Sequence, residues 1–116
     1  MYKVDVSKIK FWWSSCDWAP CTQRLEAIHL DWPYPIAFVI ISQYGLNSKG
    51  GAKSLMNILY TWCDPRVRRQ GLMTAMHKEI EKNANVILSG ASSNAGAKFM
   101  KKNGYKNDRN LWIKHC

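Results

Sequence analysis

The residues best suited to chemistry lie in one stretch, Asp64-Pro65-Arg66-Val67-Arg68-Arg69-Gln70-Gly71-Leu72-Met73-Thr74-Ala75-Met76. An apolar run, Ile58 to Trp62, leads into it, and an apolar-periodic segment follows. A strand, a turn with two arginines and a glycine, and then a helix is an arrangement that holds an anion. The first N–H groups of a helix have no intrahelical partner and sit at the positive end of its dipole. A phosphate or pyrophosphate placed there satisfies several donors at once. Gly71 has no Cβ, so the backbone can come close, and Arg68 and Arg69 add positive charge beside it. Elsewhere such an arginine pair reads as solvated surface charge; at this junction phosphate contact is the stronger reading.

Other titratable side chains could move protons. Glu26, His29 and Asp31 lie together ahead of the apolar run Ile36-Ala37-Phe38-Val39-Ile40-Ile41 and are the base candidates, Glu26 and His29 above all. If residues 24–30 form a strand, these two point to opposite faces and cannot share one site. His77, four residues before Glu81, reads as exposed and structural. Tyr60 alternates with Trp62 and suits either a cleft wall or the core. Cys16, Cys21, Cys63 and Cys116 lack zinc-type spacing, and His29, His77 and His115 are scattered, so no metal is expected.

Length and charge set the frame for these residues. The 116 residues suffice for one domain, and 6 Trp, 5 Tyr and 3 Phe supply material for a core. Net charge is +9 but uneven. Residues 1–64 carry six Lys/Arg against five Asp/Glu, a net of +1, whereas residues 65–116 carry eleven against three, a net of +8. The excess lies in the half with the arginine-glycine turn, where it would draw in a polyanionic cofactor or nucleic acid. No apolar segment reaches signal-peptide or membrane-span length, so a cytoplasmic, reduced setting is expected.

The elements that must position the turn follow from periodicity. Tyr2 to Ile9 alternates like a half-buried strand. Phe11-Trp12-Trp13 and Trp18 suggest a loop or short helix, and residues 24–30 suit a strand or a short helix. Residues 36–41 and 55–63 read as strands of an antiparallel hairpin, with Asn47-Ser48-Lys49-Gly50-Gly51 as a turn. Leu72, Met73, Met76 and Ile80 give the following helix a buried stripe. Val86-Ile87-Leu88 is a buried strand. Ser92-Ser93-Asn94 can cap a helix to about Lys102 with Ala95, Phe99 and Met100 inside, ended by Asn103-Gly104. Tyr105 and Leu111 to Ile113 form the last strand. The sum is an α/β domain, a mixed sheet flanked by helices.

Two of these segments together resemble the GNAT superfamily of acyl-CoA-dependent N-acyltransferases. The family's signature, a strand and Pro followed by Arg/Gln-x-x-Gly-x-Gly/Ala opening a helix, stands here as Pro65 and Arg68-Arg69-Gln70-Gly71-Leu72-Met73. Its second element, Asn-x-x-Ala-x-x-Phe-Tyr-x-x-x-Gly-Phe, stands as Ser93-Asn94-Ala95-Gly96-Ala97-Lys98-Phe99-Met100-Lys101-Lys102-Asn103-Gly104-Tyr105, with Phe99, Gly104 and Tyr105 in register. The resemblance covers residues 55–113; the first 50 residues carry no such motif. It implies a GNAT-like, mostly antiparallel mixed sheet in one domain spanning residues 1–116. Residues 1–54 would supply acceptor-side strands and loops, and residues 55–116 the acyl-CoA-binding half.

The resemblance also implies roles. Backbone amides of Arg69, Gln70, Gly71, Leu72, Met73 and Thr74, with Arg68, would cradle the pyrophosphate of acetyl-CoA. The backbone of Thr61, Trp62 and Cys63 would pair with the pantetheine arm, and the Cys63 N–H would stabilise the thioester oxyanion. Ser93, Asn94 and Phe99 belong to the cofactor side. Met73 replaces the motif's small residue, Met100 its proton-donating Tyr, and Ser93 its Asn, with Asn94 as a stand-in. The activity implied is direct attack of a primary amine on acetyl-CoA, the acceptor being a small molecule, a protein or a nucleic-acid-associated amine. The competing reading is a catalytically weak basic module that contacts nucleic acid or a protein. Trp12, Trp13, Trp18 and Trp32 read as packing or an acceptor-pocket wall, with base stacking as the competitor. The chain's short length suggests a homodimer.

Overall fold

The computed structural model describes residues 3–16, 22–44, 54–90 and 93–116. Its first strand starts later than the alternation of Tyr2 to Ile9 suggests. The Asp5 carboxylate takes the Ser7 N–H at 3.0 Å and the Ser7 hydroxyl at 2.6 Å, and this local closure turns Val6–Lys8 into a 3₁₀ turn. Strand β1 is Ile9–Ser15, so the aromatic run read as a loop or short helix is a strand. Aromatics suit a pleated, half-buried surface: Phe11 and Trp13 pack toward the core, while Trp12 is 62% exposed.

Strands β2 (Thr22–His29), β3 (Ala37–Tyr44) and β4 (Ser54–Cys63) continue an antiparallel meander. Helix α1 (Leu72–Glu81) then crosses to β5 (Ala84–Ser89), which pairs parallel to β4. Helix α2 (Asn94–Lys102) leads to β6 (Lys106–Asp108) and β7 (Leu111–His115). The spatial order is β1-β2-β3-β4-β5-β7-β6, antiparallel at every pairing except β4 with β5. Residues 24–29 thus resolve as strand, and Leu30 begins the turn that follows. The end of the chain is a hairpin rather than a single strand, because Arg109 and Asn110 at φ 53° and 69° make the two-residue turn that matches strand twist. The turn read at residues 47–51 lies outside the described residues, as do Trp18, Cys21 and Ser92.

One sheet face carries the core. Leu25, Ala27, Val39, Ile41, Met56, Ile58 and Ile87 are buried there. The α1 stripe of Leu72, Met76 and Ile80 and the α2 residue Met100 join the same cluster; each such side chain contributes about 1.5–3 kcal/mol on burial. Ala95 is exposed rather than inside. Lys114, opposite Ile87, donates to the Glu81 carboxylate of α1 and, at 2.7 Å, to the Asn103 carbonyl that ends α2. Both helices therefore lie on this face. The reverse face bears the cross-strand row Trp12, Glu26, Phe38, Trp62, and no helix covers it among the described residues. There Phe38 stacks on Tyr60 and Trp62 at 5.8 and 5.6 Å, and the Arg24 guanidinium lies 4.1 Å over the Phe38 ring.

Candidate active site

The site begins where β4 and β5 part. Their pairing runs from Ser54–Ala84 to Ile58–Ser89 and then stops. At the same point Leu59 is an extra residue on β4: Ile41 pairs with Ile58 but Ile40 with Tyr60. A bulge bends its strand and increases its twist, so the rest of β4 keeps β3 as a neighbour and leaves β5. The Asp64 N–H donates to the Ile36 carbonyl at 2.8 Å. Backbone polar groups alternate sides along a strand, so Trp62, like Asp64, directs its N–H to β3. Those of Thr61 and Cys63 face the gap. Arg68 Nε, donating to the Cys63 carbonyl at 3.3 Å, agrees with that direction.

The gap is a cleft with two adjoining chambers that share part of their lining. The inner one, about 470 Å³, lies between Ser89, Ser93, His77 and Met100. The outer one, about 570 Å³, is bounded by Cys63, Arg68, Arg69, Gly71, Thr74 and Lys102. Thr61, Met73, Ala95 and Phe99 border both.

The turn that feeds α1 is tightly built. The Asp64 carboxylate takes the Arg66 N–H at 2.9 Å and its Nε and Nη2 at 3.0 and 2.7 Å. Arg66 also donates to the Tyr34 hydroxyl and sits 4.7 Å over the Trp32 ring. The Arg66 side-chain bonds, above all, hold the Asp64 pKa down at about 2. Beyond it Arg69 (φ 63°) and Gly71 (φ 80°) are both left-handed, and Gly71 caps α1 without a side-chain bond. The N–H groups of Leu72, Met73 and Thr74 are thereby left for another acceptor. Arg68 and Arg69 are exposed beside them, and Leu72 is buried. Gln70 offers only its backbone, because its Oε1 accepts the Val4 N–H at 2.7 Å. Met73, partly buried, packs against the core and borders the cleft.

On α2, Ser93 is the N-cap, its hydroxyl accepting the Gly96 N–H at 3.0 Å. Asn94 is exposed and does not line the cleft, whereas Phe99 lines both chambers. Burial pushes the Cys63 thiol up, Arg68 opposing only in part, so it stays protonated at neutral pH.

The two leading base candidates stand apart from this cleft. Glu26 is half-buried on the helix-free face, its carboxylate 3.7 Å from Arg24 Nε. His29 is buried at the end of β2, with Nδ1 accepting the Asp31 N–H at 3.1 Å. Neither lines a chamber.

His77, read from sequence as exposed, is 1% exposed and lines the inner chamber. Its Nδ1 lies 2.8 Å from the Tyr105 hydroxyl. Burial pushes its pKa down to about 4 and pushes that of Tyr105 up. The signal for it was present: residues 73, 76, 77 and 80 follow the i, i+3, i+4, i+7 rhythm of one helix face.

No model of a known protein family matches the chain, and no curated protein matches it by sequence. Solved structures do match in shape. Arabidopsis thaliana NAA60 in complex with a bisubstrate analogue superposes with a TM-score of 0.67 at 14% identity, over 83% of this chain and 76% of that one. Its complex with acetyl-CoA gives 0.65 at 15%, over 81% and 76%. A protein solved as the KacTA–DNA complex gives 0.66 at 13%, over 84% and 69%. An acetyltransferase of the GNAT family from Staphylococcus aureus gives 0.61 at 12%, over 81% and 67%. The fold of this chain is that of the GNAT-family acetyltransferases.

Proposed function

We propose that the chain is an N-acetyltransferase that moves the acetyl group of acetyl-CoA to a primary amine by direct attack in a ternary complex. The observation that carries this reading is the cleft itself. Two strands part beside an uncapped helix N-terminus, and the backbone of Thr61 and Cys63 faces the gap. The amides of Arg69 to Thr74, with Arg68, Arg69 and Lys102, suit a pyrophosphate. Thr61 and Cys63 offer the strand edge along which a pantetheine arm can pair. The Cys63 N–H then faces the thioester carbonyl, where one such donor contributes on the order of 10²–10³ in rate.

Acetyl-CoA supplies the activated acyl group. Because the Cys63 thiol stays protonated, it is a poor nucleophile, which supports direct attack over a covalent acyl-enzyme. Glu26 and His29 lie off the cleft, so the attacking ammonium would lose its proton to a water chain.

Calorimetric titration with acetyl-CoA tests the reading. Binding that weakens about tenfold or more in Arg68→Ala/Arg69→Ala, in line with two lost charge-assisted contacts, supports it. Unchanged affinity in that variant overturns the cofactor assignment. One observation favours a second reading, a nucleic-acid-binding module: Lys98, Lys101, Lys102 and Lys106 are exposed in the basic half. Salt-sensitive binding of DNA or RNA that acetyl-CoA does not displace would select it.

A further inference from the structure

We infer that His77, held by Tyr105, donates a hydrogen bond from Nε2 to the sulfur of the acyl thioester as the thiolate leaves. This rests on the acetyl-CoA reading above. It gives the chain a donor that Met100, on the same chamber wall, cannot supply.

The geometry fixes the ring, and the chemistry of its partner selects the tautomer. The His77 ring meets the Phe99 ring edge-on at 5.0 Å and 72°, and the Tyr105 ring at 5.7 Å and 78°. These contacts hold its plane, while the 2.8 Å bond to Tyr105 engages Nδ1. A phenol is a better donor than an imidazole N–H, and an imidazole nitrogen a better acceptor than a phenol oxygen. Tyr105 therefore donates, and the proton of the neutral ring sits on Nε2. The ring lines the inner chamber, where β4 and β5 have parted and Thr61 and Ser89 form neighbouring walls. The proposed pose has the thioester carbonyl at the gap-facing Cys63 N–H and the sulfur turned past Thr61, which borders both chambers, toward His77.

The charged groups around the ring leave it neutral. Glu81, one turn further along α1, and Lys114 of β7 act on it with opposite sign and are paired with each other. Burial dominates, so neither His77 nor Tyr105 changes charge near neutral pH. In the step itself the N–C bond forms and the C–S bond breaks, with the C–S electron pair passing to sulfur. The ammonium gives one proton to water before attack, and the nitrogen of the adduct gives a second to water as the amide forms. No proton leaves His77, whose Nε2–H stabilises the thiolate and whose tautomer is the same at the end as at the start.

The test uses the whole protein labelled with ¹⁵N-histidine, with His77 assigned through His77→Gln. The expected spectrum of the free protein is the Nε2–H tautomer, changing to averaged tautomers in Tyr105→Phe. CoA should shift the His77 Nε2 resonance and desulfo-CoA should not, while His29 and His115 stay still under both. Calorimetry on the same samples establishes that each ligand is bound. Bound CoA with no Nε2 shift, an equal shift with desulfo-CoA, or an Nδ1–H tautomer in the free protein overturns the inference and leaves the cofactor reading standing. Failure of both ligands to bind overturns the two together.

Discussion

His77 and Asp64 both lose their stabilising role on the acid side, in different windows. His77 has a folded pKa of about 4 against an ordinary value of 6.5. Between those values the unfolded chain binds a proton that the native ring does not, so stability falls as pH drops through that window. The full shift corresponds to about 3 kcal/mol. Urea melts at several pH values should show His77→Gln flattening the slope between neutral pH and the native pKa; equal slopes in the two proteins would refute the burial argument. Asp64, held down to about 2, contributes stability that is present above its ordinary pKa of 3.8 and is lost as pH falls toward 2. Gly71 poses a different constraint. An added Cβ would meet nothing within 4 Å, yet φ is +80°, so conformation rather than space demands glycine. Asn tolerates that region and β-branched residues do not. Gly71→Asn should therefore cost less than Gly71→Val, by about 1 kcal/mol or more in thermal melts; equal losses would show that φ is not the constraint.

At the scale of elements, the bulge on β4 makes the cleft and the helices close it. Deleting Leu59 restores regular pairing with β3 and removes the cause of the bend. The deletion should retain helical circular dichroism and lose acetyl-CoA binding; tight binding in the deletion would mean that the strands part for another reason. Helix α1 is docked by its fully buried Met76. Met76→Ala should cost about 2–5 kcal/mol in denaturant melts, and a loss within error would contradict the observed packing. The helices and strands β3 to β5 were legible because their apolar spacing is strong, whereas residues 24–30, mostly in β2, suited a strand or a short helix equally. The first strand was not, since alternation at Tyr2 to Ile9 competes with the local Asp5–Ser7 closure. The terminal hairpin was also hidden, because its turn relies on Arg109 in a left-handed conformation that arginine adopts uncommonly.

Across the molecule, charge and apolar surface are segregated. The half after residue 64 carries a net of +8, and it contains the arginine turn and the lysines of α2. Affinity for acetyl-CoA should therefore fall as salt rises from low to physiological levels. An affinity independent of salt would place the phosphates away from this half. The helix-free face is less charged among the described residues: Trp12 and the half-exposed Tyr60 stand there beside Lys10 and the Arg24–Glu26 pair.

By itself the sequence determined the local devices: the arginine-glycine turn from Arg68 to Gly71, the α1 stripe, the Ser93 cap and the order of most elements. These rest on propensity, periodicity and capping, which act over one or two helical turns. Tertiary structure alone decided which backbone groups face the gap, since that depends on where Leu59 shifts the register between β3 and β4. It also separated Glu26 and His29 from the cleft, removed Gln70's side chain to Val4, and joined His77 to Tyr105 across 28 residues. Those outcomes come from contacts distant in sequence, whose cost and geometry no short stretch of chain encodes.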